Sequence, residues 1–144
     1  MKYTTQIDID LPLKKVIAIF EDSSKLSCWQ RGLQSTKLIH GKNGEVGAKQ
    51  KLKINLEGQR ITMFETIVDK KLPHYWHGLY TGKGFTSIQK NYFNEIEQGK
   101  THWKCESEFK FTGFMVLISK ILPEIFKKRS NAVMKDFKAF AEQI

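Results

Sequence analysis

The chain has 144 residues, 40% of them hydrophobic and 12% aromatic, and its 24 Lys and Arg outnumber its 15 Asp and Glu to give a formal net charge of +9. A folded chain of this length hides roughly two-thirds of its unfolded surface, enough for a core without disulfides or metals. The aromatic content argues against intrinsic disorder. We therefore expect a globular protein with a single domain over residues 1–144.

Neither an export signal nor a membrane span is apparent in the sequence. The most apolar run, from Phe114 to Leu122, is interrupted by Lys120 and is far shorter than the roughly 20 residues that cross a bilayer. We expect the protein to stay in the cytoplasm. Cys28 and Cys105 lack CxxC spacing, so we expect two reduced thiols that fill apolar space.

The first part of the chain predicts a strand and two short helices. Residues 3–9 alternate apolar and polar side chains, which is the period of a half-buried strand. Apolar side chains then recur at helical spacing over residues 13–20, and Pro12 suits the first turn of that helix. Ser23-Ser24 can cap a second helical piece, which ends before Gly32.

Residues 33–112 predict a set of consecutive hairpins. Turns rich in Gly and Pro divide this region into six strand-length segments. Connections this short join antiparallel strands, because parallel strands need long crossovers. Leu52, Ile54 and Leu56 alternate with polar neighbours, so we expect a meander with one wet face and one covered face.

The last part of the chain predicts the helix that covers this sheet. Pro123 marks either a kink or a restart of the helix. Helical spacing links a stripe of apolar residues: Phe126, Val133, Phe137, Phe140 and Ile144.

These features together carry a family resemblance. The chain has an opening strand, a helix started by Pro12, Trp29 shortly afterwards, the stretch LIHGKNGEVG at 38–47, the hairpin QGKT at 98–101 and a long C-terminal helix. This arrangement resembles the START-like helix-grip superfamily, and within it the polyketide cyclase/dehydrase-like branch of SRPBCC proteins. The resemblance implies an α+β helix-grip fold. Its curved, seven-stranded antiparallel sheet wraps around the long C-terminal helix, with two short helices between strands 1 and 2 and a deep cavity for a hydrophobic or amphipathic small molecule.

A sheet bent around one helix leaves a concave space unless large side chains fill it, and such spaces are the usual small-molecule sites. Aromatic rings supply apolar walls, and polar side chains on strands can hydrogen-bond a ligand. Each ring can equally be core packing. The candidate ligand-binding residues are Trp29, Phe64, Trp76, Tyr80, Gln89, Asn91, Phe93, Trp103 and Arg129.

Two registers are open for the strand over residues 85–96. If Gly99 takes the left-handed position of a three-residue hairpin loop, Phe93 pairs with Trp103, and Gln89 and Asn91 share the inner face. A slip of one residue turns Tyr92 and Ile88 inward instead. We favour the first register, because it gives Gly99 a defined role.

Arg129 also has two interpretations. It lies near the apolar stripe of the last helix, from which its guanidinium can reach the cavity and bind a carboxylate through two hydrogen bonds. Alternatively, a break at Pro123 rotates the stripe and leaves Arg129 on its flank with an apolar stem.

The sequence offers little catalytic machinery, and we expect no metal and no cofactor. His74 and His77 fall on opposite faces of a strand and cannot readily clamp one ion. Glu106 and Glu108 share the solvent face, so we do not expect an acid–base pair. Glu65 stays open: it shares a face with apolar neighbours, which would raise its pKa and suit a general acid.

The positive charge lies in patches, of which Lys127, Lys128 and Arg129 form one. No nucleic-acid-binding motif accompanies the charge, so we expect a solvated face and no nucleic-acid partner. The apolar segment 114–118, followed by Lys120 and the basic cluster, offers an alternative, which is weak contact with an anionic membrane. No feature of the sequence decides the oligomeric state.

Three functions follow from these expectations. The favoured one is binding of a hydrophobic or amphipathic small molecule (lipid, polyketide-like or aromatic) as a carrier or sensor. The alternatives are a cyclase- or hydratase-type enzyme and a lipid-transfer protein at the membrane surface. An enzyme requires a buried acid or base with a displaced pKa in the pocket, whereas a carrier needs apolar walls and a few neutral polar anchors.

Overall fold

The computed structural model describes residues 1–144, with the side chain of Leu122 excepted. Turns of 3-10 helix lie at Ser23–Lys25 and Gly113–Val116. The helices and strands, in chain order, are β1 (Lys2–Ile9), α1 (Leu13–Glu21), α2 (Leu26–Trp29), β2 (Leu33–His40), β3 (Lys49–Leu56), β4 (Gln59–Lys71), β5 (Tyr75–Gly82), β6 (Phe85–Glu97), β7 (Lys100–Phe111) and α3 (Leu122–Glu142).

Over the described chain, seven strands form one curved antiparallel sheet in the order β1-β7-β6-β5-β4-β3-β2. Strands β2 to β7 follow one another as a meander. Strand β1 pairs with the free edge of β7, opposite β6, and places Ile7 across from Trp103. The helices α1 and α2 connect β1 to β2. These two strands are the edge strands of the sheet. The predicted helix-grip fold is confirmed, because the sheet wraps around α3.

Local chemistry explains the first elements. In β1 the alternation buries Thr5 and Ile9 on the covered face. Pro12 precedes α1 in extended backbone, as its missing N–H allows. The second helical piece is capped by Asp22 and not by the serines, because the Asp22 carboxylate accepts the Ser24 N–H at 3.0 Å.

The hairpin between β6 and β7 adopts the favoured register. Phe93 pairs with Trp103, and Gln89 pairs with Ser107. Gly99 has a φ of 78°, the left-handed backbone that only glycine adopts without strain. Gln89 and Asn91 therefore face inward, whereas Ile88 on the outer face is 39% exposed.

The helix α3 begins at Leu122 with Pro123 in its first turn, so the proline starts the helix and does not kink it. Phe137 and Ala141 in its second half are fully buried. The expectation that Ile144 belongs to the buried stripe is wrong: the helix ends at Glu142, and Ile144 beyond it is 66% exposed.

The core occupies one end of the space between the sheet and α3. The ring of Phe137 packs edge-on against Trp29, with centroids 4.9 Å apart, and against Trp103 at 5.3 Å. Phe20 from α1 adds a further ring at 5.8 Å from Trp103. These large side chains fill one end of that space. At the other end Phe126, in the first half of α3, stacks on Phe109 with centroids 4.7 Å apart, and the cavity is lined by rings of both groups.

Candidate ligand-binding cavity

A cavity of about 230 Å³ lies between the concave face of the sheet and α3. Its aliphatic wall comes from alternate positions of β3 and β4, where the pleat turns every second side chain inward. The residues of this wall are Leu52, Ile54, Ile61, Met63 and Ile67. The cavity is therefore mainly apolar, with polar groups at a few defined places.

Most of the sequence-predicted site residues do line this cavity. Trp76 and Tyr80 sit on β5 with Gly78 between them on the same face, and a Cβ at Gly78 would lie 2.8 Å from the Trp76 ring. Because Gly78 has no side chain, the rings of Trp76 and Tyr80 can both lie over its backbone. The predicted residues in the lining are Trp29, Trp76, Tyr80, Gln89, Asn91, Trp103 and Arg129.

Phe64 does not lie where we expected it. The inward positions of β4 include Met63 and Glu65, so alternation turns Phe64 to the outer face. There the Lys49 ammonium lies 5.2 Å from the centre of its ring. Phe64 therefore covers the outside of the sheet.

Phe93 faces inward as expected but belongs to the core. Its ring stacks on Trp103, with centroids 5.9 Å apart and planes 19° from parallel, and meets Phe20 edge-on at 5.0 Å. It is only 3% exposed. The rings of α1 and β7 therefore separate Phe93 from the cavity, and its role is packing.

Asn91 and Trp103 form a buried hydrogen bond across the β6–β7 pair. The Trp103 Nε1–H donates to Asn91 Oδ1 at 2.9 Å. A buried amide and indole satisfy each other in this way and hold both side chains in one rotamer. The bond therefore fixes Asn91 and Trp103, which both line the cavity, at the boundary between the aromatic core and the cavity.

Glu65 and Tyr80 form a titratable pair in the cavity wall. The Tyr80 hydroxyl donates to Glu65 Oε2 at 2.7 Å. Burial raises the pKa of Glu65, and the hydrogen bond from Tyr80 opposes part of that rise. Burial, followed by the Glu65 charge, raises the pKa of Tyr80 well above 10. This is the buried acid with a displaced pKa that sequence reasoning had left open.

Three of the residues that line the cavity each hold a buried polar atom without a hydrogen-bond partner among the described side chains. Among the described side chains, Thr5 Oγ1, Ser87 Oγ and Trp29 Nε1 are buried and have no hydrogen-bond partner. Thr5 and Ser87 were not among the predicted site residues. Alternation could have found Ser87, because it lies two residues before Gln89 on the same strand face.

Arg129 on α3 is one of the residues that line the cavity, as the first of its two interpretations requires, and its binding of a carboxylate stays a prediction. Burial lowers the pKa of the guanidinium, and the nearby charge of Arg31 lowers it further. Arg31 pairs with Asp136 at 2.9 Å. Among the described side chains, Arg129 has no carboxylate within 4.0 Å. A cationic donor is therefore available at this side of the cavity.

The two cysteines differ in their surroundings. Cys105 is 5% exposed in the cavity wall, and burial raises the pKa of its thiol to about 11. It is a small apolar filler, as expected. Cys28 is free and exposed, so the expectation that it also fills apolar space is wrong.

Polar side chains frame the cavity where β4 approaches the end of α1. The Lys70 ammonium donates to Glu21 Oε2 at 2.7 Å and to the Gly44 carbonyl at 2.6 Å. All three residues also line the cavity. This contact links α1 to the loop between β2 and β3.

The described residues contain neither a metal-binding cluster nor a membrane-spanning helix. Within them, no group of three or more His, Cys, Asp or Glu is placed to hold a metal ion. None of the described helices combines the length and apolarity needed to span a bilayer.

Comparison with solved structures identifies the fold. Zhui aromatase/cyclase from Streptomyces sp. R1128 superposes with a TM-score of 0.85 at 9% identity, covering 99% of this chain and 94% of that one. A conserved protein from Geobacillus kaustophilus gives a TM-score of 0.83 at 16% identity, over 99% and 96%. A START superfamily protein from Mycobacterium smegmatis gives 0.80 at 11% identity, over 99% and 97%. The chain has the START-like helix-grip fold that its sequence resembles.

No protein-family model matches the sequence, and no curated protein matches it significantly. At identities this low, likeness of structure establishes the fold and leaves the activity to be argued from the site.

Proposed function

We propose that the protein binds a compact hydrophobic or amphipathic small molecule in this cavity and acts in the cytoplasm as its carrier or sensor. The observation that carries the proposal is an apolar cavity whose wall holds polar atoms without protein partners. The ligand's apolar body packs against the aliphatic wall of β3 and β4 and the ring of Trp76. Its polar groups meet Ser87, Thr5 and the indole N–H of Trp29.

Arg129 sets the preferred charge of the ligand. A guanidinium in the wall of an apolar cavity favours an acidic group, because a charge-assisted hydrogen bond replaces the water lost on binding. We therefore propose that the ligand is an amphipathic molecule with an acidic or strongly hydrogen-bonding end directed toward α3.

Two related dyes test this role. 8-Anilino-1-naphthalenesulfonate carries a sulfonate, and N-phenyl-1-naphthylamine has the same ring system without it. Replacing Arg129→Gln is expected to weaken the sulfonate's binding roughly 10- to 100-fold, as for a lost hydrogen bond to a charged group, and to spare the neutral dye. Binding is measured by fluorescence titration.

The control variant is Lys128→Gln, which removes the same charge from the neighbouring exposed position. It should leave both titrations unchanged. Equal losses of the two dyes in Arg129→Gln, or equal effects of the two variants, would remove Arg129 from the site.

A second candidate function is catalysis of the cyclase or hydratase type, and the Glu65–Tyr80 pair favours it. A carboxyl whose pKa is raised by burial is suited to donate a proton to a carbonyl or hydroxyl of the bound molecule, with Tyr80 holding its orientation. The similarity in fold to an aromatase/cyclase is compatible with this chemistry.

Native mass spectrometry of freshly purified protein separates the two candidates. If Glu65 acts as a general acid, the Glu65→Gln variant retains a molecule whose mass differs from that retained by the unaltered protein, for example by one water. A carrier retains the same molecule in both. The retained mass also identifies the chemical class of the ligand.

A further inference from the structure

An unusual set of apolar side chains is exposed around the start of α3. Phe114 is 72% exposed and Leu117 is 77% exposed, and between them Val116 is 52% exposed. Ile121, at the foot of α3, is 65% exposed. Single exposed apolar residues are ordinary, but four within eight positions of the chain form a patch that calls for a partner. We call the segment 113–121 the apolar tip.

Lysines surround this apolar tip. Lys120 lies within it, and Lys127 and Lys128 are exposed on the following turns of α3. Lys83 comes from the β5–β6 turn, which lies against the tip, because a Cβ at the neighbouring Gly84 would be 2.5 Å from Met115 Cγ. The sequence over residues 113–128 contains three lysines and a single acid, Glu124.

The tip is adjacent to the cavity. Ile121, Ile125 and Lys128 recur at i, i+4 and i+7 and so share one side of α3. From other positions of the same helix, Phe126 and Arg129 line the cavity. One helix thus presents apolar and basic side chains to the outside and cavity side chains to the inside.

We propose that the apolar tip docks on an anionic membrane surface. The exposed apolar side chains enter the boundary between headgroups and acyl chains, while the surrounding lysines contact anionic lipid headgroups. The sign of the charge selects this partner. A symmetric dimer through the same patch would place lysines opposite lysines, which costs free energy at an interface. Docking brings the cavity to the surface where an apolar ligand is exchanged.

Co-sedimentation with vesicles tests the proposal. Vesicles of phosphatidylcholine mixed with phosphatidylserine should bind the protein at low salt, and binding should fall as salt is raised. Vesicles of phosphatidylcholine alone should bind it far less. The double variant Lys127→Gln/Lys128→Gln is expected to weaken binding about 25-fold, since each lysine near an anionic surface contributes about 5-fold. Phe114→Ser/Leu117→Ser is expected to weaken it about tenfold or more.

Matched controls lie elsewhere on the surface. Lys14→Gln/Lys15→Gln removes the same charge from α1, and Ile39→Ser/Val46→Ser removes apolar side chains that are 48% and 59% exposed. Both controls should keep full binding. Losses in the controls equal to those in the tip variants, or no binding to anionic vesicles at low salt, would overturn the proposal.

Analytical ultracentrifugation without lipid tests the alternative partner of the apolar tip, which is a second copy of the chain. A dimer that is lost in Phe114→Ser/Leu117→Ser, together with no vesicle binding, would assign the tip to a second copy of the chain and overturn the membrane proposal. The docking does not rest on the cavity function, so a variant with a filled cavity, Ser87→Phe, should still bind anionic vesicles.

Discussion

The indoles of Trp103 and Trp29 are both buried, but only Trp103 donates a hydrogen bond. Comparing substitutions of the two residues therefore measures what that hydrogen bond contributes to the free energy of unfolding. Trp103 is 4% exposed and donates its Nε1–H to Asn91, whereas Trp29 is 3% exposed and has no partner for its Nε1–H among the described side chains. Replacing either residue with Phe leaves similar empty space. Only Trp103→Phe also leaves a buried amide oxygen unsatisfied.

We expect Trp103→Phe to lower the free energy of unfolding by about 1–3 kcal/mol more than Trp29→Phe does. Urea denaturation of both variants gives the comparison. Equal losses would mean that the Asn91–Trp103 bond contributes nothing beyond the packing of the rings.

Glu65 couples stability to pH, and the sign follows from its environment. Its pKa is raised in the folded protein, so the folded state prefers the neutral carboxyl. The stability associated with that neutral form is complete below the unfolded pKa, near 4.5, and is lost as pH rises through the raised folded pKa.

The variant Glu65→Gln removes this loss, because its amide stays neutral and still accepts the Tyr80 hydroxyl. We expect its stability relative to the unaltered protein to rise as pH increases above 4.5, by about 1.4 kcal/mol for each unit of pKa displacement. Denaturation curves over this pH range provide the measurement. Glu106→Gln on the exposed face is the control, and parallel pH profiles for all three proteins would contradict the assignment.

At the scale of elements, periodicity and turn residues predicted the order of strands and helices, and the family resemblance supplied the helix-grip fold. The switch from alternation in β1 to helical spacing in α1, and the turns between the later strands, predicted every strand and helix in order. The register of β6 against β7 also followed from one residue, Gly99, whose left-handed backbone allows one alignment. Each of these signals is local, because it depends on neighbours within a turn or a strand pair.

The errors arose where the answer depends on packing between distant elements. Phe64 was selected for its ring, although the alternation that places Met63 and Glu65 inside turns it outward. Phe93 points to the predicted side of the sheet, but it lies in the core because the rings of Phe20 and Trp103 pack against it. Spacing within one strand shows neither which inward side chains belong to the core and which to the cavity, nor that Glu65 pairs with Tyr80.

Across the whole molecule, a curved sheet holds α3 between two groups of aromatic rings, and a cavity is left beside the helix. The rings around Phe137 pack against the second half of α3, Phe126 in its first half stacks on Phe109, and rings of both groups line the cavity. The apolar tip directly precedes α3, and Lys127 and Lys128 in the first half of the helix are exposed. The fold therefore combines a binding site and a candidate docking surface on one helix.

The most direct measurement is a fluorescence titration with N-phenyl-1-naphthylamine on two variants of adjacent residues. Ser87 is 1% exposed and faces the cavity, whereas Thr86 is exposed on the other face of the same strand. If the cavity is the binding site, the dye binds one per chain, Ser87→Phe abolishes that binding by filling the space, and Thr86→Phe preserves it. Equal binding by both variants, or no saturable binding by the unaltered protein, would contradict a ligand site between the sheet and α3.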